Sequence, residues 1–192
     1  MTKRTLLVLG AGGHGKAVAE AALLSGDWQR VMFVDDRWPE LRESFGLPVV
    51  ANIARLAEVA GQADAAIAAV GNNALRDQWL SAIRLAGLTP ATVIHPRACV
   101  STSARIGAGT AIMAMAMIGV DVQIGEGAIV NAGAVVDHDA SLGDLAHLGV
   151  GVSIAGGVRV GACAWLQAGC CAGYQVAVPD GALYGPGTAL SV

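Results

Sequence analysis

An unbroken six-residue period runs through the second half of this 192-residue chain and constrains its fold more than any other feature. Every sixth residue from Ile94 to Leu190 gives 17 positions, of which 15 are Ile, Val or Leu. The residue two places before each of them is small or β-branched, from Thr92 and Ala98 through to Thr188. Short strands that each place one aliphatic and one small side chain inward form a parallel β-helix with a continuous core. The second half is therefore predicted to be a hexapeptide-repeat parallel β-helix.

The unbroken register also predicts which residues stack on one another. Three hexads make one triangular coil of about 18 residues in proteins of this type, so residues 18 apart should lie one above the other. His138 is then expected beneath Gly156, and His147 beneath Trp165. Because glycine has no side chain, we expect open space above the outward His138, where a ligand chain could pass.

The first 90 residues alternate apolar runs with helical patterns, which favours a small parallel α/β domain of the Rossmann-like type. We therefore predict two domains, an α/β domain over residues 1–90 and the β-helix over residues 91–192. The predicted strands are Leu6–Leu9, Val31–Val34 and Ala65–Val70, and the predicted helices are Lys16–Leu24, Ile53–Ala60 and Leu75–Leu85.

A glycine-rich loop follows the first predicted strand. Gly10-Ala11-Gly12-Gly13-His14-Gly15 matches G-x-G-x-x-G between a strand and a helix, the context in which such a loop holds phosphates at a helix N-terminus. Asp35 and Asp36 end the next strand, about 20 residues later, where carboxylates can accept hydrogen bonds from a ribose or a base. The alternative is a tight turn that needs glycine for backbone reasons alone.

Two of the three histidines of the second half are candidates for chemistry. His138 lies between Asp137 and Asp139 and points outward, and flanking carboxylates can hold one tautomer of a histidine and make it a better base. His147 is the second outward histidine, and ligand contact and plain surface exposure are both open for it. His95, before a proline at the domain junction, is interpreted as structural.

Composition excludes several classes of function. The net charge of −3 and the lack of a basic run argue against a nucleic-acid partner. No apolar run reaches the roughly 20 residues of a membrane span, and no secretory leader pattern is seen. Four cysteines without a C-x-x-C pair indicate neither a zinc site nor disulfides, so a cytoplasmic protein without a metal is expected. Met113, Met115 and Met117 are expected to be exposed and to mark a partner surface.

The chain resembles the bacterial sugar acetyltransferases of the PglD/NeuD type over nearly its whole length. The resemblance depends on the combination of a hexapeptide helix with several local motifs. These are the Gly-Ala-Gly-Gly-His-Gly loop, Phe33-Val34-Asp35-Asp36, Val70-Gly71-Asn72-Asn73, Ile94-His95-Pro96, and the segment from Asn131 through His138-Asp139 to His147.

The resemblance implies a left-handed β-helix, a homotrimer, and an acetyl-CoA-dependent N-acetyltransferase that acts on a nucleotide-linked 4-amino-4,6-dideoxy sugar. His138 would be the general base, oriented by Asp139, and the amine would attack the thioester directly. Gly156 and Ala168 would contact the pantetheine arm of acetyl-CoA. The residues that would bind the nucleotide sugar are Gly12, Gly13, His14, Asp35, Asp36, Arg37, Asn72, Asn131 and His147.

Several alternatives stay open at this point. A sialic acid O-acetyltransferase belongs to the same family pattern. A non-catalytic sugar-nucleotide-binding β-helix is a second alternative, because Ala172 and Tyr184 weaken the last ladder positions and the Val-x-Gly-x-Pro-Ala-type tail of the family is not seen. A γ-type carbonic anhydrase would need an H-x-x-x-x-H pair, whereas His138 and His147 are nine apart. A nucleotide-dependent oxidoreductase would leave the β-helix without a role.

Overall fold

The computed structural model describes residues 4–191 and separates the chain into two compact units. Unit 1 ends at Val93 and unit 2 begins at Ile94, so the division lies three residues beyond the boundary expected from sequence. The division falls inside the strand Val93–Ile94, which is the first strand of the repeat.

Unit 1 is an α/β unit, as predicted. Its strands are β1 (Thr5–Leu9), β2 (Arg30–Val34), β3 (Glu43–Ser44), β4 (Leu47–Ala51), β5 (Ala65–Ala68) and β6 (Thr89–Pro90), and its α-helices are α1 (Gly13–Ser25), α2 (Leu56–Val59) and α3 (Asn73–Leu85). Short 3-10 turns at Ile53–Arg55 and Ala60–Gln62 flank α2, so the single helix predicted there is broken into three pieces.

The sheet of unit 1 has the order β3-β4-β2-β1-β5-β6. All neighbours are parallel except β3 and β4, a small hairpin that sequence patterning missed. Strand β3 has only two residues, and the five residues of β4 lack a clear alternation of apolar and polar residues. The parallel arrangement brings the carboxyl ends of β1, β2 and β5 to one edge, where ligands bind in open α/β sheets. The glycine loop, Asp35 and Asn72 follow these three strands.

Unit 2 is a left-handed parallel β-helix of 17 two-residue strands. They are β7 (Val93–Ile94), β8 (Cys99–Val100), β9 (Arg105–Ile106), β10 (Ala111–Ile112), β11 (Met117–Ile118), β12 (Gln123–Ile124), β13 (Ile129–Val130), β14 (Val135–Val136), β15 (Ser141–Leu142), β16 (His147–Leu148), β17 (Ser153–Ile154), β18 (Arg159–Val160), β19 (Trp165–Leu166), β20 (Cys171–Ala172), β21 (Ala177–Val178), β22 (Leu183–Tyr184) and β23 (Ala189–Leu190).

The strands form three faces of the helix. Each strand pairs with the strand three further along, so that Val136 lies beside Ile154 and His147 beside Trp165. The coil length of 18 residues expected from the register is thereby confirmed. We name the faces by their strands: face C holds β7, β10, β13, β16, β19 and β22; face D holds β8, β11, β14, β17, β20 and β23; face E holds β9, β12, β15, β18 and β21.

Both inward positions of the repeat are buried along the middle of the helix. The aliphatic position is buried from Ile112 to Val178, and the small position from Ala116 to Val176. Together they form one continuous core whose outer coils, at either end, are only partly covered. The helix therefore gains its stability from stacking of neighbouring coils, as expected for a repeat architecture.

Glycine recurs after the aliphatic position because the coils approach closely there. A Cβ added to Gly107, Gly119, Gly125, Gly143 or Gly149 would lie within 2.8 Å of a backbone atom of the next coil. Real Cβ atoms do not come so close, so no other residue fits without moving the backbone. The sequence pattern is thus explained by sterics at the corners of the helix.

A second corner position adopts left-handed backbone in every six-residue unit from Gly109 onward. Every sixth residue from Gly109 to Gly187 has a positive φ, and the six that are not glycine are Met115, Asp121, Asp139, Leu145, Cys163 and Gln175. This conformation places Met115 in solvent, with 67% of its surface exposed, whereas Met113 is buried and Met117 half-buried. The expected row of three exposed methionines is therefore wrong for Met113.

Candidate active site

The glycine loop of unit 1 contains glycines of two kinds. A Cβ on Gly15 would collide with the Gly10 carbonyl oxygen, and Gly10 itself has a φ of 101° and faces the Ala69 carbonyl. These two glycines are required by the fold. In contrast, a Cβ on Gly12 or Gly13 would meet nothing within 4 Å, although both begin α1. The chain itself does not need glycine there, which favours the close approach of a ligand.

The Asp35 carboxylate organises this loop. Its Oδ2 accepts the backbone N–H of Ala11 at 2.7 Å, and both of its oxygens accept from the guanidinium of Arg37 at 2.7 and 3.0 Å. The Arg37 guanidinium, helped by the Ala11 N–H, lowers the pKa of Asp35 to about 2. Both oxygens of Asp35 are thus engaged within the chain, and the neighbouring Arg37 is exposed, while contact of Asp35 with a ligand stays a prediction.

Asp36 and Asn72 also make contacts within the chain. Asp36 Oδ1 accepts the N–H of Ile53 at 3.0 Å, at the start of the turn before α2. Asn72 is the N-cap of α3, and its Oδ1 accepts the N–H of Leu75 at 2.9 Å. Both side chains therefore hold the loops that border the carboxyl edge of the sheet.

His14, in the glycine loop, is half-buried, and the charge of the buried Arg76 influences its ionisation. The His14 Nε2 is buried and has no hydrogen-bond partner among the described residues. Burial, with a smaller contribution from the charge of Arg76, lowers the pKa of His14 to about 4. His14 is therefore a neutral imidazole at physiological pH, which can donate at one nitrogen and accept at the other.

Sequence reasoning missed Arg76, although its spacing contained a signal. Its side chain is fully buried and donates to the carbonyls of Val70 and Gly71 and to Asn73 Oδ1. Arg76 occupies the first of four positions, i, i+3, i+4 and i+7, that face the core of α3, the others being Trp79, Leu80 and Ile83. An arginine on a buried helical face indicates that its charge is used locally.

In unit 2, His138 and Asp139 lie together at the corner between faces D and E. The imidazole Nδ1 is 2.7 Å from Asp139 Oδ2, and the backbone N–H of His138 donates to Asp137 Oδ1 at 2.8 Å. The Nε2 is 3.9 Å from Asp137 Oδ2, too far for a hydrogen bond. The bond to Asp139, followed by the charge of Asp137, raises the pKa of His138 above its ordinary value of 6.5.

The space above His138 is not open, which corrects one expectation from the register. Gly156 lies one coil above His138, as predicted, and its carbonyl-side neighbour Gly157 donates its N–H to the His138 carbonyl. A Cβ on Gly156 would lie 2.6 Å from Cε1 and 2.7 Å from Nε2 of His138. The imidazole ring thus fills the space that the missing side chain leaves.

A groove of about 630 Å³ borders the same corner on face E. It is lined by Asp121, Gln123, Asp139, Ala140, Ser141, Gly157, Arg159 and Gln175. Its walls carry carboxylates, amides and one guanidinium, so it suits a polar ligand. Asp139 belongs to both the groove and the histidine pair.

Asn131, His147 and Ala168 lie elsewhere on the β-helix. Asn131 and Ala168 follow strands of face C, at the corner between faces C and D, and His147 is on face C itself. His147 is buried and stacks on Trp165 with ring centres 5.0 Å apart and planes 5° apart. The alternative that His147 is a plain surface residue is therefore wrong. Within one chain, these residues are not on the corner that holds His138.

Two further observations concern other kinds of site. Over residues 4–191, no group of three or more His, Cys, Asp or Glu side chains is placed to hold a metal ion. No helix within that range is long and apolar enough to span a membrane.

Comparison with known proteins places both units in one family. The family model described as the PglD N-terminal domain matches residues 5–83. The solved acetyltransferase domain of PglB from Neisseria gonorrhoeae, in complex with acetyl coenzyme A, is 35% identical, covers 98% of this chain and 93% of that chain, and superposes with a TM-score of 0.92. A His-to-Asn mutant of perosamine N-acetyltransferase from Caulobacter crescentus, in complex with CoA and GDP-perosamine, is also 35% identical and covers 97% and 90% with a TM-score of 0.90.

A curated relative agrees over a shorter stretch. The UDP-N-acetylbacillosamine N-acetyltransferase of Bacillus subtilis is 34% identical over 116 residues, which is 58% of this chain and 52% of the relative. The chain thus spans about half the length of that relative.

The fold defines a class: proteins that join a Rossmann-like α/β unit to a left-handed hexapeptide-repeat β-helix. Full-length similarity to the Neisseria and Caulobacter proteins then narrows the class. This chain belongs to the PglD-type family of sugar acetyltransferases.

Proposed function

We propose that this protein transfers an acetyl group from acetyl-CoA to the amine of a nucleotide-linked 4-amino-4,6-dideoxy sugar. The observation that carries the proposal is the His138–Asp139 pair, in which Asp139 engages Nδ1 and leaves Nε2 unbonded at the corner of the β-helix. The names of the relatives support the substrates, since they include complexes with acetyl coenzyme A and with GDP-perosamine.

The pair suits a general base. When His138 is neutral, its Nδ1–H donates to Asp139, so the lone pair of Nε2 can accept a proton from the attacking amine. The amine nitrogen forms a bond to the thioester carbonyl carbon, and the C–S bond breaks as the tetrahedral intermediate collapses. The thiolate of CoA leaves and is protonated, so no covalent intermediate on the enzyme is needed.

Gly156 and Ala168 are the proposed backbone contacts of the acetyl donor. The N–H of Gly156 has no acceptor among residues 4–191, and Gly156 lies one coil above His138, whose ring atoms would be within 3.1 Å of a Cβ at residue 156. A backbone N–H near the base can stabilise the oxyanion that forms on the thioester carbonyl. The Ala168 carbonyl already accepts from Gly187, so its N–H is the group that we assign to the pantetheine arm.

Unit 1 is proposed to hold the nucleotide part of the acceptor. Gly12 and Gly13 present backbone N–H groups at the start of α1, where the helix dipole favours phosphate. Arg37 supplies an exposed cation, and the neutral His14 offers a hydrogen bond without a charge. Asp36 and Asn72 border this edge, while Asp35 acts by holding the loop and Arg37 in place.

A homotrimer is proposed because the expected site residues lie on two corners of one chain. His138 and Gly156 are at the corner between faces D and E, whereas Asn131, His147 and Ala168 lie on face C or the corner that follows it. If both groups of residues contribute to a single active site, one group would have to come from a second copy of the chain. The exposed apolar side chains of Val120 and Tyr174, on the His138 corner, favour such a contact. Light scattering coupled to size-exclusion chromatography should give three times the chain mass.

The activity is tested by release of CoA thiol from acetyl-CoA with UDP-, GDP- and TDP-linked 4-amino-4,6-dideoxy sugars, beside free sialic acid. Release with one nucleotide amino sugar that is lost in His138→Ala supports the proposal and identifies the nucleotide. His138 is 54% exposed, so the variant should fold normally. Release with sialic acid alone would indicate an O-acetyltransferase. Failure of acetyl-CoA to bind at all would favour a non-catalytic sugar-nucleotide-binding protein.

A further inference from the structure

Gly156 is exceptional at its position in the repeat. The position two residues after the inward aliphatic residue occurs 16 times from Pro96 to Pro186, and Gly156 is the only glycine among them. The others include Ala132, Ala162 and Ala168 as well as larger residues. The corner therefore accepts side chains freely, and the fold does not require glycine at this position.

The backbone of Gly156 does not require glycine either. Its φ is not in the left-handed region, in contrast to that of Gly157, which follows it. The nearest atoms to an added Cβ all belong to the His138 ring, at 2.6 Å for Cε1, 2.7 Å for Nε2 and 3.1 Å for Nδ1. No backbone atom is among them. The absence of a side chain at residue 156 thus serves one neighbour, the imidazole one coil below.

From this geometry we infer that Gly156 is a positioning residue, whose missing side chain lets the His138 ring lie against the next coil and keep Nδ1 on Asp139. This role rests on the proposed function of His138 as the base, and it differs from a backbone contact to the acetyl donor. Any Cβ at residue 156 would be closer than 3.0 Å to two ring atoms, so the ring would have to turn away. Turning would break the 2.7 Å contact between Nδ1 and Asp139 Oδ2.

The charged groups around this corner determine what a displaced ring would experience. Asp137 and Asp139 flank His138 in sequence, and the groove that contains Asp139 also holds Asp121 from the coil below and Arg159 from face E. Loss of the Asp139 contact removes the largest influence on the pKa of His138. The imidazole of the variant should therefore titrate at a lower pH than that of the native protein.

The test is Gly156→Ala, with Gly185→Ala as the matched control. Gly185 is also in the β-helix, its φ is not left-handed, and an added Cβ would meet nothing within 4 Å. Three quantities are measured on the full chain: the His138 pKa by NMR without ligands, the pH profile of kcat/KM, and the thermal midpoint. For Gly156→Ala we expect a lower His138 pKa, an acid limb moved to lower pH, and a kcat reduced about 10- to 100-fold. The control should match the native protein in all three.

Each outcome has a distinct meaning. An unchanged His138 pKa and an unchanged kcat in Gly156→Ala would overturn the inference. A raised KM for acetyl-CoA with unchanged kcat and pKa would also overturn it, because Gly156 would then serve the donor alone. If His138→Ala keeps full turnover, the proposed function fails, yet a lowered His138 pKa in Gly156→Ala would still establish the positioning contact. A crystal structure of the variant, with the ring rotated away from Asp139, would give the same answer without an assay.

Discussion

The imidazole of His147 and the indole of Trp165 stack face to face across two successive coils of the β-helix, with planes only 5° apart. They are partners in the parallel pairing of β16 and β19, so the 18-residue coil places them directly over one another. This contact buries an outward histidine that its position in the repeat would otherwise leave in solvent. The stack also fixes the orientation of the imidazole ring.

Removal of the indole should weaken the β-helix by removing the stacking partner of His147. Aromatic stacking contributes about 1 kcal/mol beyond the area that it buries, so a double-mutant cycle of His147→Ala and Trp165→Ala should show a coupling of about that size. Trp165→Phe should retain most of it. Urea unfolding of the four proteins provides the measurement, and strictly additive effects would contradict the contact.

The acid limb of activity should depend on Asp139. Because Asp139 and Asp137 raise the pKa of His138, the native imidazole stays protonated up to a higher pH than a free histidine and cannot act as a base below it. Asp139→Asn keeps a residue that tolerates the φ of 58° but removes the charge. Its acid limb in kcat/KM should move to lower pH while kcat falls. Asp121→Asn, a left-handed corner aspartate one coil below, should shift the limb much less.

Unit 1 should lose stability in acid through Asp35. The pKa of Asp35 is about 2 in the folded protein and 3.8 in the unfolded chain. Its contribution to the free energy of unfolding is therefore complete above about pH 4 and disappears as the pH falls towards 2. The ion pair is partly exposed, so we expect about 1 kcal/mol. Asp35→Asn should lower the stability at pH 7 and flatten its dependence on pH between 4 and 2. An equal slope in both proteins would contradict this assignment.

Left-handed corners and neighbouring strands should respond oppositely to glycine. Met115 has a φ of 62° and is 67% exposed, whereas Met117 lies in β11 and is half-buried. Met115→Gly relieves about 1 kcal/mol of backbone strain, partly offset by the entropy of the unfolded chain, so its midpoint should hold or rise. Met117→Gly loses side-chain packing in a strand and should destabilise by 1 kcal/mol or more. Thermal unfolding of both variants is the measurement, and a larger loss in Met115→Gly would refute the strain.

The repeat was predictable because its cause is local and repeated. Each six-residue unit places one aliphatic and one small residue inward, and the period from Ile94 to Leu190 repeats this pattern 17 times. Helices α1 and α3 and strands β1, β2 and β5 of unit 1 were also predicted within a few residues. The β3–β4 hairpin was missed because its two-residue strand carries too few positions to show a period.

The candidate site was predictable only in part. The Asp137-His138-Asp139 triplet and the glycine loop could be recognised as motifs, because all of their residues are neighbours in sequence. The engagement of Asp35 by Ala11 and Arg37 was not visible, because it depends on where the ends of β1 and β2 meet. Arg76 was missed although its spacing placed it on the apolar face of α3, because burial of its charge depends on what packs against that face.

The sequence by itself therefore determined the two-unit architecture, the register of the β-helix and the pairing of His138 with Gly156 and of His147 with Trp165. These follow from chain periodicity, which sets distances along the helix axis. Only the tertiary structure decided which side chains already have partners within the chain and which can still contact a ligand. The imidazole of His138 fills the space under Gly156, and His14 is neutral because burial removes the water that would stabilise its charge. Such outcomes depend on contacts across coils and strands, which the spacing of residues in the sequence does not specify.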